Sequence, residues 1–403
     1  MKPAEILRLA HVGRPPAPYG VQRLARCYSI DDLAHLARRR LPAGALAYLD
    51  GGGEGEYTLR RNRAAFQDVE LLPRALVDVS DVDTSTTVLG TPVPLPIALG
   101  PVGGPRMFHH EGERAAVRAA AKARLPFGVS TLATVDIDDI VHEAPAATVW
   151  FQLYIWGDRE VARKLVARAQ AAGCTALIVS ADCTVRSNRE RELHAGIKLP
   201  TPDLTVRTLL DGGLHPSWAW HFLTSEAITF PNVEHAAGRT PDMGEMFDGT
   251  VSWADVEWLR EQWDGPLAVK GVLSPEDARH AVAAGADAVI VSNHGGRELD
   301  HVPATLDALP SIVDAVGDEI EVLFDSGIRR GTDILAALAL GAHAVLLGRA
   351  YLYGLAAAGE PGVRHAIDIL ADELRKAMAL MGAPTLADLD RTLLRPARTA
   401  IRA

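Results

Sequence analysis

Short apolar runs alternate with amphipathic segments along most of the chain. Eight of the runs have the length and composition of buried strands: Ile97–Gly100, Pro126–Val129, Thr148–Leu153, Ala176–Val179, Leu267–Val269, Ala288–Val291, Glu321–Phe324 and Ala344–Leu347. The other segments carry apolar residues at helical spacing: Gly112–Arg124, Ile137–His142, Arg159–Ala172, Trp253–Gln262, Pro275–Ala284, Ala304–Val316, Thr332–Leu340 and Val363–Met381. Such apolar runs are typical of parallel strands buried on both faces.

The alternation of strands and helices predicts a parallel sheet with right-handed crossovers. Eight units over roughly 300 residues fit a closed (β/α)₈ TIM barrel better than an open, doubly wound sheet. No G-x-G-x-x-G motif opens a helix after a first strand, which argues against a dinucleotide-binding Rossmann domain. We therefore predict an N-terminal arm (residues 1–27) and one α/β barrel domain (residues 28–403).

Two features precede the first strand of the predicted barrel. Ser29 is a typical helix N-cap, and the apolar residues that follow it have helical spacing: Ile30, Leu33, Leu36 and Leu41. The uncharged stretch from Thr84 to Pro105 contains five prolines, which a membrane-spanning helix would not carry. It is predicted to be a loop that leads into a strand.

Composition narrows the class of protein. Of the 403 residues, 48% are hydrophobic and 23% are charged, as in ordinary globular proteins with a large core. A net charge of −10 argues against a nucleic-acid partner or a general anionic-membrane surface. Cys27, Cys174 and Cys183 have no metal-binding spacing, and an odd count suits a reducing cytosol. We expect a cytoplasmic protein with no metal, no signal peptide and no transmembrane segment.

In a barrel of this type the chemistry lies where the strands end. Polar residues or glycines follow all eight predicted strands, in chain order: Val102-Gly103, Ser130-Thr131, Gln152 to Tyr154, Ser180 to Asp182, Lys270-Gly271, Ser292 to His294, Asp325 to Arg329, and Gly348-Arg349. At one strand end such residues are usually solvated caps. At all eight they favour a site that one large ligand fills.

The last two strand ends suggest a phosphate site, because phosphates in these barrels commonly lie after strands 7 and 8. Flexible backbone and cations occur there together: Asp325, Ser326, Gly327, Arg329, Gly348 and Arg349. Lys270 ends a buried strand, where an unpaired ammonium is costly. It pairs either with a core carboxylate or with a cofactor that gains negative charge on reduction.

The stretch Ser292–Asp300 is the densest in special residues. His294 precedes Arg297 by three positions, which suggests a base beside an anion clamp. The alternative is a solvated polar turn. The stretch reads S-N-H-G-G-R-E-L-D and resembles the signature S-N-H-G-x-R-Q-L-D of the FMN-dependent 2-hydroxy acid dehydrogenases and oxidases, with Glu298 where Gln is common. That family includes glycolate oxidase, lactate dehydrogenases and oxidases, and mandelate dehydrogenase.

The resemblance covers roughly Tyr28 to Met381 and implies bound FMN and oxidation of an L-2-hydroxy acid to the 2-oxo acid. In its overall sequence pattern the chain is most similar to bacterial L-lactate dehydrogenases. The resemblance implies that His294 is the base, that Asp182 orients it, and that Tyr154 donates to the substrate oxygen. Further implied roles are substrate carboxylate binding by Tyr48, Arg189 and Arg297, and flavin binding by Val102, Gly103, Ser130, Gln152, Ser180, Lys270 and Ser292, with the phosphate elements named above.

A long insertion (residues 183–252) follows the fourth predicted strand and is predicted to form a lid. It contains Trp218, Trp220 and Phe222, and the stretch before Arg189, residues 183–188, departs from the family pattern T-P-R-x-G-x. After strands 1 and 2, Gly103-Gly104 and Leu132 replace larger family residues, which predicts a pocket that also accepts longer or aromatic 2-hydroxy acids.

Other functions stay open at this point. One is an oxidase of a larger or aromatic 2-hydroxy acid. Another is a non-redox FMN or phosphate-binding barrel, such as an isomerase or a lyase that uses Lys270 as a Schiff-base amine. A third is a flavin-binding scaffold. The electron acceptor (oxygen, or a quinone or cytochrome), hydride or carbanion chemistry, and attachment to the inner membrane face are undecided. The resemblance implies a homo-oligomer, specifically a tetramer.

Overall fold

The computed structural model describes residues 23–196, 205–239 and 247–397 of the chain. Within these residues, the segment before the barrel forms the α-helices α1 (Ile30–Arg40), α2 (Ala43–Asp50) and α3 (Tyr57–Ala64). The predicted helix after Ser29 is confirmed as α1, and the Ser29 hydroxyl accepts a hydrogen bond from the backbone N–H of Asp32 at 3.2 Å. Most of the predicted arm lies outside the described residues. Its last part includes Leu24 and Cys27, which are buried in the barrel core cluster.

Short strands flank the barrel. Strand β1 (Val69–Leu71) is followed by a hairpin of β2 (Thr86–Val88) and β3 (Thr91–Val93). The hairpin falls within the stretch predicted as a loop. Its turn is made by Leu89 and Gly90, which both have left-handed backbone with φ of 45° and 75°.

Eight parallel strands close into a barrel: β4 (Ile97–Val102), β5 (Phe127–Ser130), β6 (Val149–Leu153), β7 (Ala176–Ser180), β8 (Leu267–Val272), β9 (Ala288–Val291), β10 (Glu321–Phe324) and β11 (Ala344–Leu347). Each strand pairs with the next, and β11 pairs with β4 to close the ring. The predicted (β/α)₈ barrel and all eight predicted strands are confirmed. The strands are almost entirely buried, which explains their continuous apolar sequence.

Helices surround the barrel and fill the insertion, in chain order: α4 (Gly112–Ala123), α5 (Ile137–Glu143), α6 (Arg159–Ala171), α7 (Glu190–His194), α8 (Val206–Leu214), α9 (Pro216–Thr224), α10 (Pro231–Ala237), α11 (Trp253–Gln262), α12 (Pro275–Ala283), α13 (Thr305–Val316), α14 (Gly331–Ala339), α15 (Arg349–Ala358) and α16 (Glu360–Met381). The last strand of the described residues is β12 (Leu394–Pro396), which pairs antiparallel with β1. No helix in the described part of the chain is both long enough and apolar enough to cross a membrane.

Helix α15 was not predicted, because it has no polar face. Every residue from Ala350 to Ala357 is buried, so the helical period that marks an amphipathic helix is absent. The helix also packs closely on α16. A Cβ on Gly354 would lie 2.2 Å from the carbonyl oxygen of Gly362, so the contact requires glycine.

The insertion contains α7 to α10 and packs against a short 3-10 helix (Pro105–Met107) between β4 and α4. The indole Nε1 of Trp218 donates to the carbonyl of Met107 at 2.8 Å, and Arg106 donates to the carbonyls of Glu226 and Ala227. These bonds hold α9 and the segment after it on the end of the barrel where the strands terminate.

Candidate active site

A cavity of about 550 Å³ opens at the carboxyl ends of the barrel strands. This volume lies within the range of small-molecule and cofactor sites. Most of the predicted site residues line it: Tyr48, Val102, Gly103, Tyr154, Arg189, Lys270, His294, Arg297, Asp325, Ser326, Gly327, Arg329, Gly348 and Arg349. Hydrogen bonds connect the other predicted residues to this wall: Asp182, Ser130, Gln152, Ser180 and Ser292. The structure thus brings the whole predicted set together.

His294 and Asp182 form a directly bonded pair. The Nδ1 atom of His294 lies 3.1 and 3.2 Å from the two carboxylate oxygens of Asp182. His294 has left-handed backbone (φ 56°), and its N–H donates to the hydroxyl of Ser292. Burial raises the pKa of Asp182, but the charges of His294 and Lys270 lower it more, so the net pKa lies well below its usual range. The Asp182 carboxylate is therefore ionised beside the imidazole.

Cys183 also touches this pair. Its Sγ lies 3.5 Å from Nδ1 of His294 and 3.6 Å from Oδ1 of Asp182. Burial raises the pKa of the Cys183 thiol well above its ordinary value. The thiol is therefore a neutral neighbour of the imidazole, at the position where the chain begins to depart from the family pattern.

Lys270 has a carboxylate partner and still faces the cavity. Its Nζ donates to the hydroxyl of Ser292 at 2.9 Å and lies 3.4 Å from the carboxylate of Asp325. Burial lowers the pKa of Lys270, but Asp325 and Asp182 raise it more, so the net pKa lies above its ordinary value. Both predicted environments, a core carboxylate and the ligand cavity, are present. Lys270 is a buried, charged ammonium.

A row of buried polar side chains crosses three neighbouring strands. The Ser130 hydroxyl donates to Oε1 of Gln152 at 3.0 Å, and Nε2 of Gln152 donates to the hydroxyl of Ser180 at 3.0 Å. Ser130 also accepts the backbone N–H of Leu132, which lines the cavity. These donors and acceptors belong to strands β5, β6 and β7, which hold them in a fixed line.

Two tyrosines project into the cavity from different elements. Tyr48 comes from α2, and its hydroxyl donates to the carbonyl of Gly103 at 3.3 Å. Tyr154 follows β6, and its backbone N–H donates to the hydroxyl of Thr131. Burial raises the pKa of both hydroxyls, so both are neutral donors near neutral pH.

Arg297 is fixed on three sides. Its Nη1 donates to the carbonyls of Tyr48 at 2.7 Å and Gly51 at 3.1 Å, and Nη2 donates to Oε1 of Glu192 at 2.8 Å. The guanidinium lies 4.7 Å from the centre of the Tyr48 ring, within cation–π distance. These contacts fix the plane of the guanidinium group. The Nε–H of Arg297 donates to none of the described residues.

Arg189 lies next to Arg297 and is more fully paired. Its Nη2 bonds the Glu298 carboxylate, and its Nε donates to the Ser187 hydroxyl at 2.9 Å. Nη1 lies 3.9 Å from the Glu192 carboxylate. Sequence reasoning missed Glu192 altogether and assigned no role to Glu298. Only the Gln-to-Glu departure at Glu298 was a signal that could have been followed.

The predicted phosphate elements meet at one edge of the cavity. Ser326 and Gly327 have left-handed backbone, and the Ser326 hydroxyl accepts the N–H of Gly295 at 3.0 Å. Arg329 stacks over the Tyr353 ring at 5.2 Å. Each guanidinium nitrogen of Arg349 donates to a main-chain carbonyl, those of Leu49, Gly295 and Gly51. Arg349 thus holds the loops around the edge together.

Residues of α3 support the signature loop, and sequence reasoning gave them no role in the site. The amides of Asn62 and Asn293 bond each other twice, at 2.8 Å each. The carboxylate of Asp300 accepts the backbone N–H groups of Tyr57 and Thr58 at 3.0 and 2.7 Å. The Asp300 bonds cap the start of α3, and both sets of bonds anchor this helix to the loop that carries His294 and Arg297.

The residues present fit the flavin mononucleotide that the resemblance implies. The buried Ser130–Gln152–Ser180 row and Lys270 form a polar wall with a cation, as a flat ring with polar edges requires. At Gly348 an added Cβ would meet nothing within 4 Å, so open space faces the backbone where a phosphate is expected.

Comparisons with known proteins agree with this geometry. A family model described as "FMN-dependent dehydrogenase" matches residues 37–396. An L-lactate dehydrogenase of Caulobacter vibrioides is 45% identical over 377 residues, covering 91% of this chain and 97% of that protein. A putative L-lactate dehydrogenase of Mycobacterium tuberculosis is 42% identical over 386 residues, covering 96% and 93%.

A solved structure shows the same likeness in three dimensions. It is that of the monotopic membrane protein (S)-mandelate dehydrogenase, with a TM-score of 0.88 and 39% sequence identity. The match covers 92% of this chain and all of that one. Fold, site and relatives lead to one conclusion: this chain belongs to the FMN-dependent dehydrogenase family and is a flavoenzyme that oxidises 2-hydroxy acids.

Proposed function

We propose that the enzyme oxidises L-2-hydroxy monocarboxylic acids, among them lactate and mandelate, with His294 as the base and Arg297, Arg189 and Tyr48 as the carboxylate holders. The observation that carries this proposal is that the bonded His294–Asp182 pair and two guanidinium groups share one cavity. Oxidation of a hydroxy acid needs a fixed carboxylate and a base in reach of the α-carbon.

His294 is suited to the base role by its partner. The ionised Asp182 accepts from Nδ1–H, so Nε2 carries the lone pair that takes a proton. When the imidazole becomes charged, Asp182 stabilises the cation, as a carboxylate does in other His-based sites. Tyr154 is a neutral hydroxyl that donates to the substrate oxygen. Bound FMN supplies the electron-accepting chemistry.

The flavin-binding roles follow from the same wall. We assign hydrogen bonds with the ring to Ser130, Gln152 and Ser180, and contact along it to the backbone of Val102 and Gly103. Lys270, which Ser292 positions, stabilises negative charge that accumulates on the ring. The remaining residues surround the phosphate and the chain that carries it: Asp325, Ser326, Gly327, Arg329, Gly348 and Arg349.

A Schiff-base lyase is less well supported. Such chemistry needs a neutral lysine amine as nucleophile. The pKa of Lys270 is raised by Asp325 and Asp182 in spite of burial, so the amine is protonated near neutral pH. The pairing of Lys270 thus favours the redox function.

Anaerobic titration of the purified holoenzyme tests the function directly. We expect the yellow flavin absorbance to bleach with L-lactate and with (S)-mandelate, because either acid presents a carboxylate to the two arginines. The rates at which oxygen and a quinone analogue reoxidise the reduced flavin then identify the acceptor. We expect the quinone analogue to reoxidise it faster than oxygen does. A flavin that stays oxidised with every 2-hydroxy acid would contradict the proposal.

The pocket next to Gly103 sets substrate size in this proposal. A Cβ on Gly103 would lie 3.1 Å from Cβ of Leu132 and 3.6 Å from the Tyr48 hydroxyl. Gly103→Ala should therefore narrow the space beside the carboxylate holders. We expect kcat/KM for mandelate to fall by about 10- to 200-fold relative to lactate, the usual value of one methyl in a pocket. Steady-state assays with both acids measure this ratio.

Leu132→Ala is the matched opposite change, since it removes volume from the other side of the same space. It should raise the mandelate-to-lactate ratio, and an unchanged ratio in both variants would show that substrate side chains project elsewhere. Gly104 is not a suitable site for the same test. It has left-handed backbone with φ of 75°, which favours glycine, although the atom that a Cβ would meet at 2.7 Å is Cε, the end of the flexible Met107 side chain. The Trp218–Phe222 pair packs near Met107 and does not line the cavity wall.

We also propose that the enzyme associates peripherally with a lipid bilayer through helices α8 and α9. Large apolar side chains on these two helices are at least two-thirds exposed: Val206, Leu210, Leu214, Trp220 and Leu223. An apolar surface of this kind commonly marks a membrane or protein contact. The monotopic membrane character of the similar (S)-mandelate dehydrogenase favours the bilayer, and a quinone acceptor would be met there.

Vesicle flotation tests this surface. The full chain should float with phosphatidylcholine vesicles, whereas a Leu210→Ser/Leu214→Ser/Leu223→Ser variant should stay at the bottom and retain flavin reduction. Leu380→Ser is the matched control, because Leu380 is 79% exposed on the distant helix α16. Equal flotation of all three proteins would contradict the assignment, and so would failure of the full chain to float.

A further inference from the structure

Arg189 and Arg297 differ in how many of their guanidinium nitrogens are available to bind a ligand. In Arg297 the Nε–H donates to none of the described residues, so it can donate to a ligand carboxylate without breaking a bond within the protein. In Arg189 each of the three nitrogens lies within 4 Å of an acceptor: Ser187, Glu298 and Glu192. A ligand carboxylate that binds Nη2 of Arg189 therefore meets the Glu298 carboxylate at the same nitrogen.

Glu298 is placed to act on the ligand site as well as on Arg189. Its side chain is only 8% exposed, that of Arg189 is 22% exposed, and both residues line the cavity. The pair is therefore shielded from solvent far more than a surface ion pair, and its charges are poorly screened. The signature common in the family has an uncharged Gln at this position, which could bond the guanidinium without opposing its charge.

We propose that Glu298 is a specificity-determining residue that competes with the substrate carboxylate for Arg189. In the free enzyme its carboxylate occupies Nη2 of Arg189. Substrate binding displaces it, and it then remains a negative charge near the bound acid. The competition weakens binding of every carboxylate ligand and affects neutral ligands of the same shape little. The inference rests on the proposed role of Arg189 in carboxylate binding.

Glu298→Gln keeps the shape and removes the charge. We expect the oxidised holoenzyme carrying this substitution to bind phenylacetate and propionate about tenfold more tightly, the scale of breaking one partly shielded ion pair. Neither acid has a hydroxyl group, so neither can be oxidised during the measurement. Phenylacetamide and propionamide are the uncharged probes, and their affinity should not change. Perturbation of the flavin absorbance or calorimetry gives the dissociation constants.

Glu190→Gln is the matched control. Glu190 adjoins Arg189 in sequence and carries the same charge, but it is exposed and outside the cavity wall. It should leave all four affinities unchanged. Unchanged or weaker carboxylate binding in Glu298→Gln overturns the inference, because Glu298 then only holds Arg189 in place. Equal tightening of acids and amides also overturns it, since the effect would be one of shape.

Arg189→Met separates failure of the inference from failure of the proposed function. Weaker carboxylate binding in this variant, with no tightening in Glu298→Gln, leaves Arg189 as a carboxylate holder and removes only the competition. Unchanged carboxylate binding in Arg189→Met removes Arg189 from the proposed clamp, and the inference fails with it.

Discussion

Replacing His294 with glutamine is expected to slow flavin reduction by substrate by about 10²- to 10⁴-fold, the range of general-base loss, while FMN stays bound. The imidazole is oriented by an ionised carboxylate, with Nδ1 3.1 Å from Asp182. A glutamine amide cannot accept a proton at neutral pH. Anaerobic stopped-flow absorbance measures the reduction rate directly.

A second substitution guards against a misfolded loop. His294 has φ of 56°, a conformation that asparagine tolerates better than glutamine. His294→Asn should show the same loss with intact backbone, and the flavin content and near-UV circular dichroism of both variants should match the parent. A reduction rate within about tenfold of the parent in either flavin-loaded variant would exclude His294 as the base.

Replacing Arg297 with lysine is expected to lower kcat/KM by about 10²-fold or more, equivalent to losing one buried, bonded charge partner. Lysine is a point charge and cannot reproduce the fork that bonds two carbonyls and Glu192 together. It also loses the guanidinium contact with the Tyr48 ring. Steady-state kinetics and carboxylate binding to the oxidised enzyme should both show the loss.

Arg191→Lys is the comparison for this substitution. Arg191 is also a guanidinium paired with a carboxylate, that of Glu56, but it is 47% exposed and outside the cavity wall. Its replacement should change kcat/KM by less than about threefold, as expected for an exposed ion pair. If Arg297→Lys behaves like Arg191→Lys, Arg297 does not hold the substrate.

The barrel was predictable because its signals are local. Strands buried on both faces, such as β9, must be apolar throughout, and helices with one exposed face, such as α6, keep a helical period. The prediction failed for elements that lack these local signals. Helix α15 is buried on all sides, so its sequence shows no helical period of hydrophobic residues. The β2–β3 hairpin lies in a proline-rich stretch that was predicted to be a loop.

The membership of the site was also largely predictable, since each residue follows a strand and all barrel strands end on one face. The partnerships within the site were not. Lys270 with Asp325, Asn62 with Asn293, and Arg189 with Glu298 join residues 55 to 231 positions apart. Such pairs depend on side-chain directions, which the spacing of hydrophobic and polar residues along the sequence does not indicate.

By itself, the sequence determined the architecture and the cofactor family, and it identified strand-end residues that line one cavity, because strand burial and strand-end composition are properties of short segments. Only the tertiary structure decided how those residues share their charges. It placed Glu192 against Arg297 and Glu298 against Arg189, and it placed two carboxylates around Lys270. The physical reason is that pairing energies depend on distance and on burial, and both arise only when distant segments close around one cavity.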